Sequence, residues 1–489
     1  MLMTQPPSGH EYDDVSETVM PCVQLYIRYL KGLPAGRISV TGKQGVEMLL
    51  AVIMRKMRYD ADYDHEAEGE DEDDFQEYRH SLKLALQEIG FLDLAMVVRV
   101  AQECVRTNLA PATLGTKTYE DVELALYLAY EMGEIAGPQA NFQQGKDPSA
   151  SPLMPLMTAV VESKVATVCL HPAVALMFFE TCNRLGGFFV HRPDCLPYIV
   201  GAFLGPTGLQ STNEKVRARS TYLFMQLVKN KVRSLLHPHL DQIVKTLQPV
   251  MQVRGQRHLQ MSEQRSVFEA ISYILFTKSV PQATQQQFFE QITQMLLQEN
   301  DLVIQAAAAT QDPRERAHFA LLLQHIPHLM TSLSKGIRDP AQLEASGCAP
   351  ALDAALKRFV QSLQIPFERV VIRRGVRSFL HRMIHCMGHK ILPAIPQILI
   401  VMSGGAGMED IRDTVALVNQ VVDRFKAEFA PQLNEILMPL VQAIFQMLAA
   451  KVDPTDVEET TQHTLMRREY FEFLGAIVKN NCTDVFLSQ

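Results

Sequence analysis

The feature that most constrains this chain is a helical periodicity that persists from end to end. Apolar residues recur at i, i+3, i+4 and i+7 in runs of roughly 12 to 20 residues, separated by short breaks that carry Pro, Gly, Asn or Asp. Cys195–Leu204, Asn213–Lys231, His239–Met251, Glu263–Phe276, Gln285–Gln298, Val370–Cys386, Asp410–Glu428 and Glu435–Leu448 are such runs. No block of alternating β-branched residues seeds a sheet. A proline-opened helix also recurs. "CLPYIVGAFL" precedes the helix at Asn213; 41 residues after Pro197, Pro238 opens "HPHLDQIVKTL"; Pro393 and Pro431 sit in "ILPAIPQILI" and "FAPQLNEILMPLVQAIFQML". A proline-opened helix, a turn and a second helix every ~40 residues is the helix-pair spacing of HEAT and armadillo arrays. One such pair cannot bury its apolar faces alone, so neighbours must stack. The expectation is an all-α HEAT-repeat solenoid, a right-handed superhelix of stacked antiparallel helix pairs, running as a single array over 1–489. Loops or insertions fall near 60–74, 137–152, 334–350 and 403–407. A non-repetitive helical bundle is the competing architecture.

Composition narrows the function classes. Of 489 residues, 47% are hydrophobic and 20% charged, enough apolar surface for a large core and too much for wholesale disorder. The net charge of −8 argues against a uniformly basic nucleic-acid binder. It leaves room for a local basic stripe, because salt screens charges more than about 10 Å away. The eight cysteines form no Cys-x-x-Cys pair and read as reduced, mostly core thiols. No run of about 18 apolar residues predicts a membrane span. The first twenty residues, with Pro6, Pro7, Asp13, Asp14 and Glu17, lack the basic-then-apolar pattern of a signal peptide.

Three kinds of feature could carry function. The first is acidic. Asp60, Asp62, Asp64, Glu66, Glu68, Glu70, Asp71, Glu72, Asp73 and Asp74 fall within fifteen residues. The run reads as a solvated loop leading into a helix N-terminus at about Asp73–Gln76, where negative charge is favoured, or as a docking loop for a basic partner. The second is basic. At 100° steps Lys215, Arg219, Tyr222, Gln226, Lys229 and Arg233 form one stripe, opposite Val216, Leu223, Phe224 and Leu227. Arg374, Arg377, His381 and His385 share another face, flanked by Arg373 and Arg382, and Arg467–Arg468 precede Tyr470 and Phe471. Such stripes are usually just solvated; with an aromatic ring they can also follow a phosphate backbone and offer a stacking face. The third is a possible metal set, His381, His385 and His389 at i, i+4 and i+8. It lacks the Glu after the first His, and Arg377 and Arg382 crowd it, so no metal and no cofactor is expected. "SGGAG" at Ser403 has no Lys-Ser/Thr after it and is no phosphate loop. No paired catalytic constellation appears, so no enzyme activity and no small-molecule substrate is expected.

Several stretches resemble a known family. They are "EGEDEDDFQEYRHSLKLAL" from Glu68, "FFETCNRLGGFF" from Phe178, "KVRARSTYLFMQLVK" from Lys215, "RRGVRSFLHRMI" from Arg373, "PQLNEILMPLVQAIFQML" from Pro431 and "LMRREYFEFL" from Leu465. Together and in this order they resemble the exportin-T family, the tRNA exportins among the importin-β-like karyopherins. The resemblance implies a HEAT-repeat superhelix that exports mature tRNA with Ran in its GTP state, shuttling between nucleus and cytoplasm through contacts with nucleoporins. It implies tRNA contact at Lys215, Arg217, Arg219, Arg373, Arg374, Arg377, Arg467 and Arg468, to which the stripe adds Lys229 and Arg233. It implies Ran contact at Glu70, Asp71, Glu72, Asp73 and Asp74. It covers the middle and later part of the family's length, with the N-terminal and far C-terminal repeats lacking a counterpart here. Two other readings compete: a karyopherin or scaffold for protein cargo, and a metal-dependent enzyme at the three histidines.

Overall fold

A computed structural model describes residues 19–33, 38–60, 63, 70–137, 142, 151–255, 259–450 and 455–487. Every regular element among the described residues is helical. The chain divides into two compact units, Met1–Thr246 and Leu247–Gln489.

In the first unit α1 (Met20–Gly32) and α2 (Val40–Lys56) pack on α3 (Glu70–Leu92). Helix pairs then follow: α4 (Leu94–Asn108) with α5 (Tyr119–Ile135), α6 (Leu153–Glu162) with α7 (Pro172–Arg184), and α8 (Leu196–Leu204) with α9 (Glu214–Leu227), before α10 (Leu240–Leu247). Second helices pack on second helices, α5 on α7 and α7 on α9, and first on first, α4 on α6. The sequence dictates the faces. In α3 the residues Phe75, Tyr78, Leu82, Ala85, Leu86 and Ile89 recur at helical spacing and are buried. Asn213 caps α9 by accepting a hydrogen bond from the Val216 N–H at 3.0 Å.

Charged side chains stitch these second helices together. Arg79 on α3 is buried and bidentate to Glu123 on α5, at 3.1 and 2.7 Å, with its guanidinium over the Tyr127 and Tyr59 rings at 3.8 and 4.6 Å. Lys83 reaches Glu131 and Glu134, and Arg184 on α7 reaches Glu134 at 2.7 Å. Burial pushes the Glu131 carboxyl up against the pull of Lys83, whereas the Arg184 hydrogen bond draws the Glu134 carboxyl down to about 2. Glycines admit the closest approaches. A Cβ on Gly133 would lie 2.9 Å from Leu185 Cδ2 and 3.1 Å from Arg184 Cδ; one on Gly186 would lie 2.7 Å from Leu227 Cδ1 and 3.0 Å from Lys231 Cγ.

The second unit repeats the plan. It holds α11 (Met261–Leu275), α12 (Gln282–Ala309), α13 (Pro313–Leu333), α14 (Pro340–Ser346), α15 (Ala349–Ser362), α16 (Arg369–Met387), α17 (Ile395–Ser403), α18 (Met408–Phe425), α19 (Ala430–Leu448) and α20 (Val457–Lys479). The series α11, α13, α16, α18, α20 stacks in order, with α12 on α15 and α17 on α19 behind it. Helix α12 runs well past Gln298, where Asn300–Asp301 reads as a stop. Asn300 is instead buried, and an alanine-rich tail carries the helix on to Ala309. The weakly periodic 334–350 segment holds α14, capped by Asp339 accepting from the Gln342 N–H and ended by Gly347 at φ 72°. Segment 369–403 is apolar enough by composition to span a membrane. It is two helices joined by the 3-10 turn Gly388–Ala394, and much of it is core.

A tight helix-to-helix approach in this unit is at Gly375 on α16. A Cβ there would sit 2.7 Å from both Cα and O of Gln324 on α13. Alanine normally favours a helix over glycine by about 1 kcal/mol. Here Gly375→Ala should reverse that sign and destabilise by about 1–3 kcal/mol, because backbone must give way. Urea unfolding of the two chains checks it; a stabilised variant would contradict the close approach.

Candidate nucleic-acid interface

Helix α9 presents its stripe as the spacing predicts. Val216, Leu223, Phe224 and Leu227 are buried, while Lys215, Arg219, Tyr222, Lys229 and Arg233 are exposed and Gln226 is half-buried. The members differ in freedom. Arg219 is drawn toward α7 by an ion pair with Glu180 at 2.5 Å and sits 5.5 Å from the Tyr222 ring. Arg217 is half-buried and donates to the Ser211 carbonyl at 3.3 Å. Arg233 faces no carboxylate within ion-pair distance among the described residues. Tyr222, 45% exposed, offers a ring face beside these cations.

On α16 the structure corrects the reading. Arg373 and Arg377 are only 4% and 6% exposed. Arg373 donates to Asp410 at 2.7 Å and to the Gly404 carbonyl at 2.6 Å; Arg377 meets Asp413 at 2.5 Å and Asp410 at 3.6 Å. Their charge is spent on α18, so neither is a surface phosphate contact. They tie two stacked helices and pin the turn at Ser403–Gly407. The sequence signal for them is a spacing match: Arg373 and Arg377 at i, i+4 face Asp410 and Asp413 at i, i+3 on the next second helix. Arg374 points outward and pairs with Glu409 at 2.8 Å. On α20 both Arg467 and Arg468 are exposed; Arg468 is paired with Glu472 at 2.8 Å. Exposed pairs of this kind are worth little, so a phosphate can compete for the cation.

The three histidines do not converge. His381 contacts Gln420, His385 lies against Arg424, and His389 pairs with Glu428 at 2.9 Å. Among the described residues no three His, Cys, Asp or Glu side chains gather around a common point.

The acidic segment enters structure earlier than expected. Helix α3 begins at Glu70, so Glu70–Asp74 form its first turn, where the helix dipole favours carboxylates. Asp73 and Asp74 are exposed, and the turn is anchored just beyond by buried Phe75, Tyr78 and Arg79. Asp62, Asp64, Glu66 and Glu68, the side chains of Glu70, Asp71 and Glu72, and most of 137–152 lie outside the described residues.

Stacked helix pairs of this kind are the fold of the importin-type helical-repeat receptors. The chain superposes on importin 13 from a cytosolic-state structure with a TM-score of 0.70 and 11% identity, over 97% of this chain and 52% of that one. It superposes on importin beta with a TM-score of 0.57 and 12% identity, over 99% and 59%. At those identities the likeness speaks to fold alone. The sequence is more particular: the Exportin-T family profile matches residues 8–489, and the chain belongs to the Exportin-T family. Curated relatives include Exportin-T of Mus musculus, 29% identical over 487 residues and covering 98% of this chain, and Exportin-T of Sclerotinia sclerotiorum, 27% identical over 516 residues. The chain spans about half the length of these relatives, 50% and 49%.

Proposed function

We propose that this chain is a tRNA-gripping portion of a receptor that exports tRNA from the nucleus together with Ran in its GTP state. The observation that carries the reading is the exposed cation stripe of α9, with its embedded tyrosine, in a chain of the Exportin-T family. An array of helices can meet folded RNA by shape, phosphate and ribose contact without reading base edges. In this reading Lys215, Arg217, Arg219, Lys229 and Arg233 address phosphates from the first unit, and Arg374, Arg467 and Arg468 from the second. Arg373 and Arg377 support Arg374 from inside. The acidic first turn of α3, Glu70–Asp74, meets a basic surface of Ran. The receptor shuttles between nucleus and cytoplasm and touches nucleoporins in passing.

The test is binding of the purified chain to labelled mature tRNA across a salt series, with and without Ran–GTP. Saturable binding is expected, with log K falling by about 0.9 per log salt for each phosphate engaged. Folded, helical protein that ignores tRNA at low salt would refute the reading and return the chain to the protein-cargo class.

A further inference from the structure

Glu134 fills a seat that other residues build. It lies in the last turn of α5, and its side chain is 44% exposed. Three donors from two neighbouring helices converge on its carboxylate. Lys83 Nζ on α3 reaches Oε2 at 3.1 Å, Gln87 Nε2 on α3 reaches Oε1 at 2.9 Å, and Arg184 Nη1 on α7 reaches Oε2 at 2.7 Å. Arg184 is aimed from behind. It donates to the Tyr130 hydroxyl at 2.5 Å, and its guanidinium lies 3.6 Å from the centroid of that ring.

The charge of the seat does not depend on Glu134. Lys83 has a second partner in buried Glu131, at 3.2 Å. Lys83, Glu131 and Arg184 together carry one positive charge, which Glu134 brings to zero. A phosphodiester carries the same single negative charge and replaces Glu134 charge for charge. Ion pairs open to solvent are worth little, so one anion can exchange for another. The seat also adjoins the stripe of α9. Glu180, one turn before Arg184 on α7, accepts from Arg219 at 2.5 Å. The carboxylate that holds a stripe cation is thus about one helical turn, ~5.4 Å along α7, from the start of the seat.

We propose that Lys83, Gln87 and Arg184 form a second phosphate seat beside the α9 stripe, filled in the free protein by Glu134 and yielded to RNA by exchange. Glu134 is then a built-in competitor that sets how tightly RNA is held. The inference rests on the tRNA reading above. Its test uses the full chain and mature tRNA. Glu134→Gln keeps the side chain's shape and one acceptor for Arg184 but removes the competing charge. A small counter-ion then occupies the seat and is released when RNA binds. Binding should tighten about five- to tenfold at ~0.1 M salt and the salt slope should steepen by about 1, with the melting temperature close to wild type. Removing any acid near an RNA surface raises affinity somewhat, so the double variant decides. Relative to Arg184→Gln alone, Glu134→Gln with Arg184→Gln should show neither the gain nor the added slope. A gain that persists in that background would be a field effect and would overturn the seat. So would a folded Glu134→Gln chain that binds tRNA no more tightly than wild type. The tRNA reading would stand in either case. A wild-type chain that binds no tRNA at low salt would overturn both. In Glu134→Gln, a gain for poly-glutamate but none for tRNA would overturn the RNA assignment in favour of an acidic protein segment.

Discussion

Arg373→Met should destabilise the second unit by about 3–5 kcal/mol, the usual cost of removing one partner from a buried ion pair. Asp410 would keep its charge at 2% exposure with only Arg377 nearby at 3.6 Å, and the Gly404 carbonyl would lose its donor. Urea unfolding followed by circular dichroism measures the loss. The double variant Arg373→Met with Asp410→Leu should recover most of it, because well-packed apolar groups often replace a buried pair at little net cost. A single variant as stable as wild type would mean that the pair is not desolvated. The same proteins separate structure from binding. Under conditions where Arg373→Met stays folded, its tRNA salt slope should match wild type, whereas Arg374→Ala should lose the slope of one contact. A lower slope in folded Arg373→Met would put that arginine back on the RNA.

The second large effect is on binding. Lys215→Glu, Lys229→Glu and Arg233→Glu combined with Arg219→Gln should lower tRNA affinity on the order of 10³-fold at ~0.1 M salt and remove three to four contacts' worth of slope. Glutamine is chosen at Arg219 because a carboxylate there would face Glu180. All four positions are exposed, so helicity and melting temperature should barely move. An unchanged affinity would show that α9 is not the grip, and the tRNA reading would then depend on the cations of the second unit.

Much of this was legible in the sequence because helix faces obey a 100° rule that needs no partner. The buried and exposed sides of α9, the buried face of α16 and the order of the helices follow from apolar spacing alone. What the rule cannot supply is the neighbour. Arg373 and Arg377 sit at the flanks of the α16 core stripe, positions that are solvated on a lone helix and buried on a stacked one. Only the arrival of α18, with acids at matching spacing, decides between the two. The same limit explains α12: Asn300 resembles a terminator until Ser362 on α15 reaches its side chain at 3.4 Å. The π turn after Leu227, Val228–Val232, was illegible for a different reason. Extrapolating the α pitch to Lys231 and Arg233 assumes the hydrogen-bond pattern that the turn breaks.

The glycine seats of the first unit have a mechanical meaning. Arg184 and Leu185 settle over Gly133, and Leu227 and Lys231 over Gly186. Each second helix thus drops teeth into a notch on its predecessor, and the notch fixes how far one may slide along the other. Because each helix is indexed to the one before it, the offsets add. A Cβ at Gly133 would do more than crowd one contact: the shift it forced on α7 would be inherited by α9 and by the cations α9 carries. These two glycines act as the graduation marks of a ruler, and an error at the first mark displaces every reading after it.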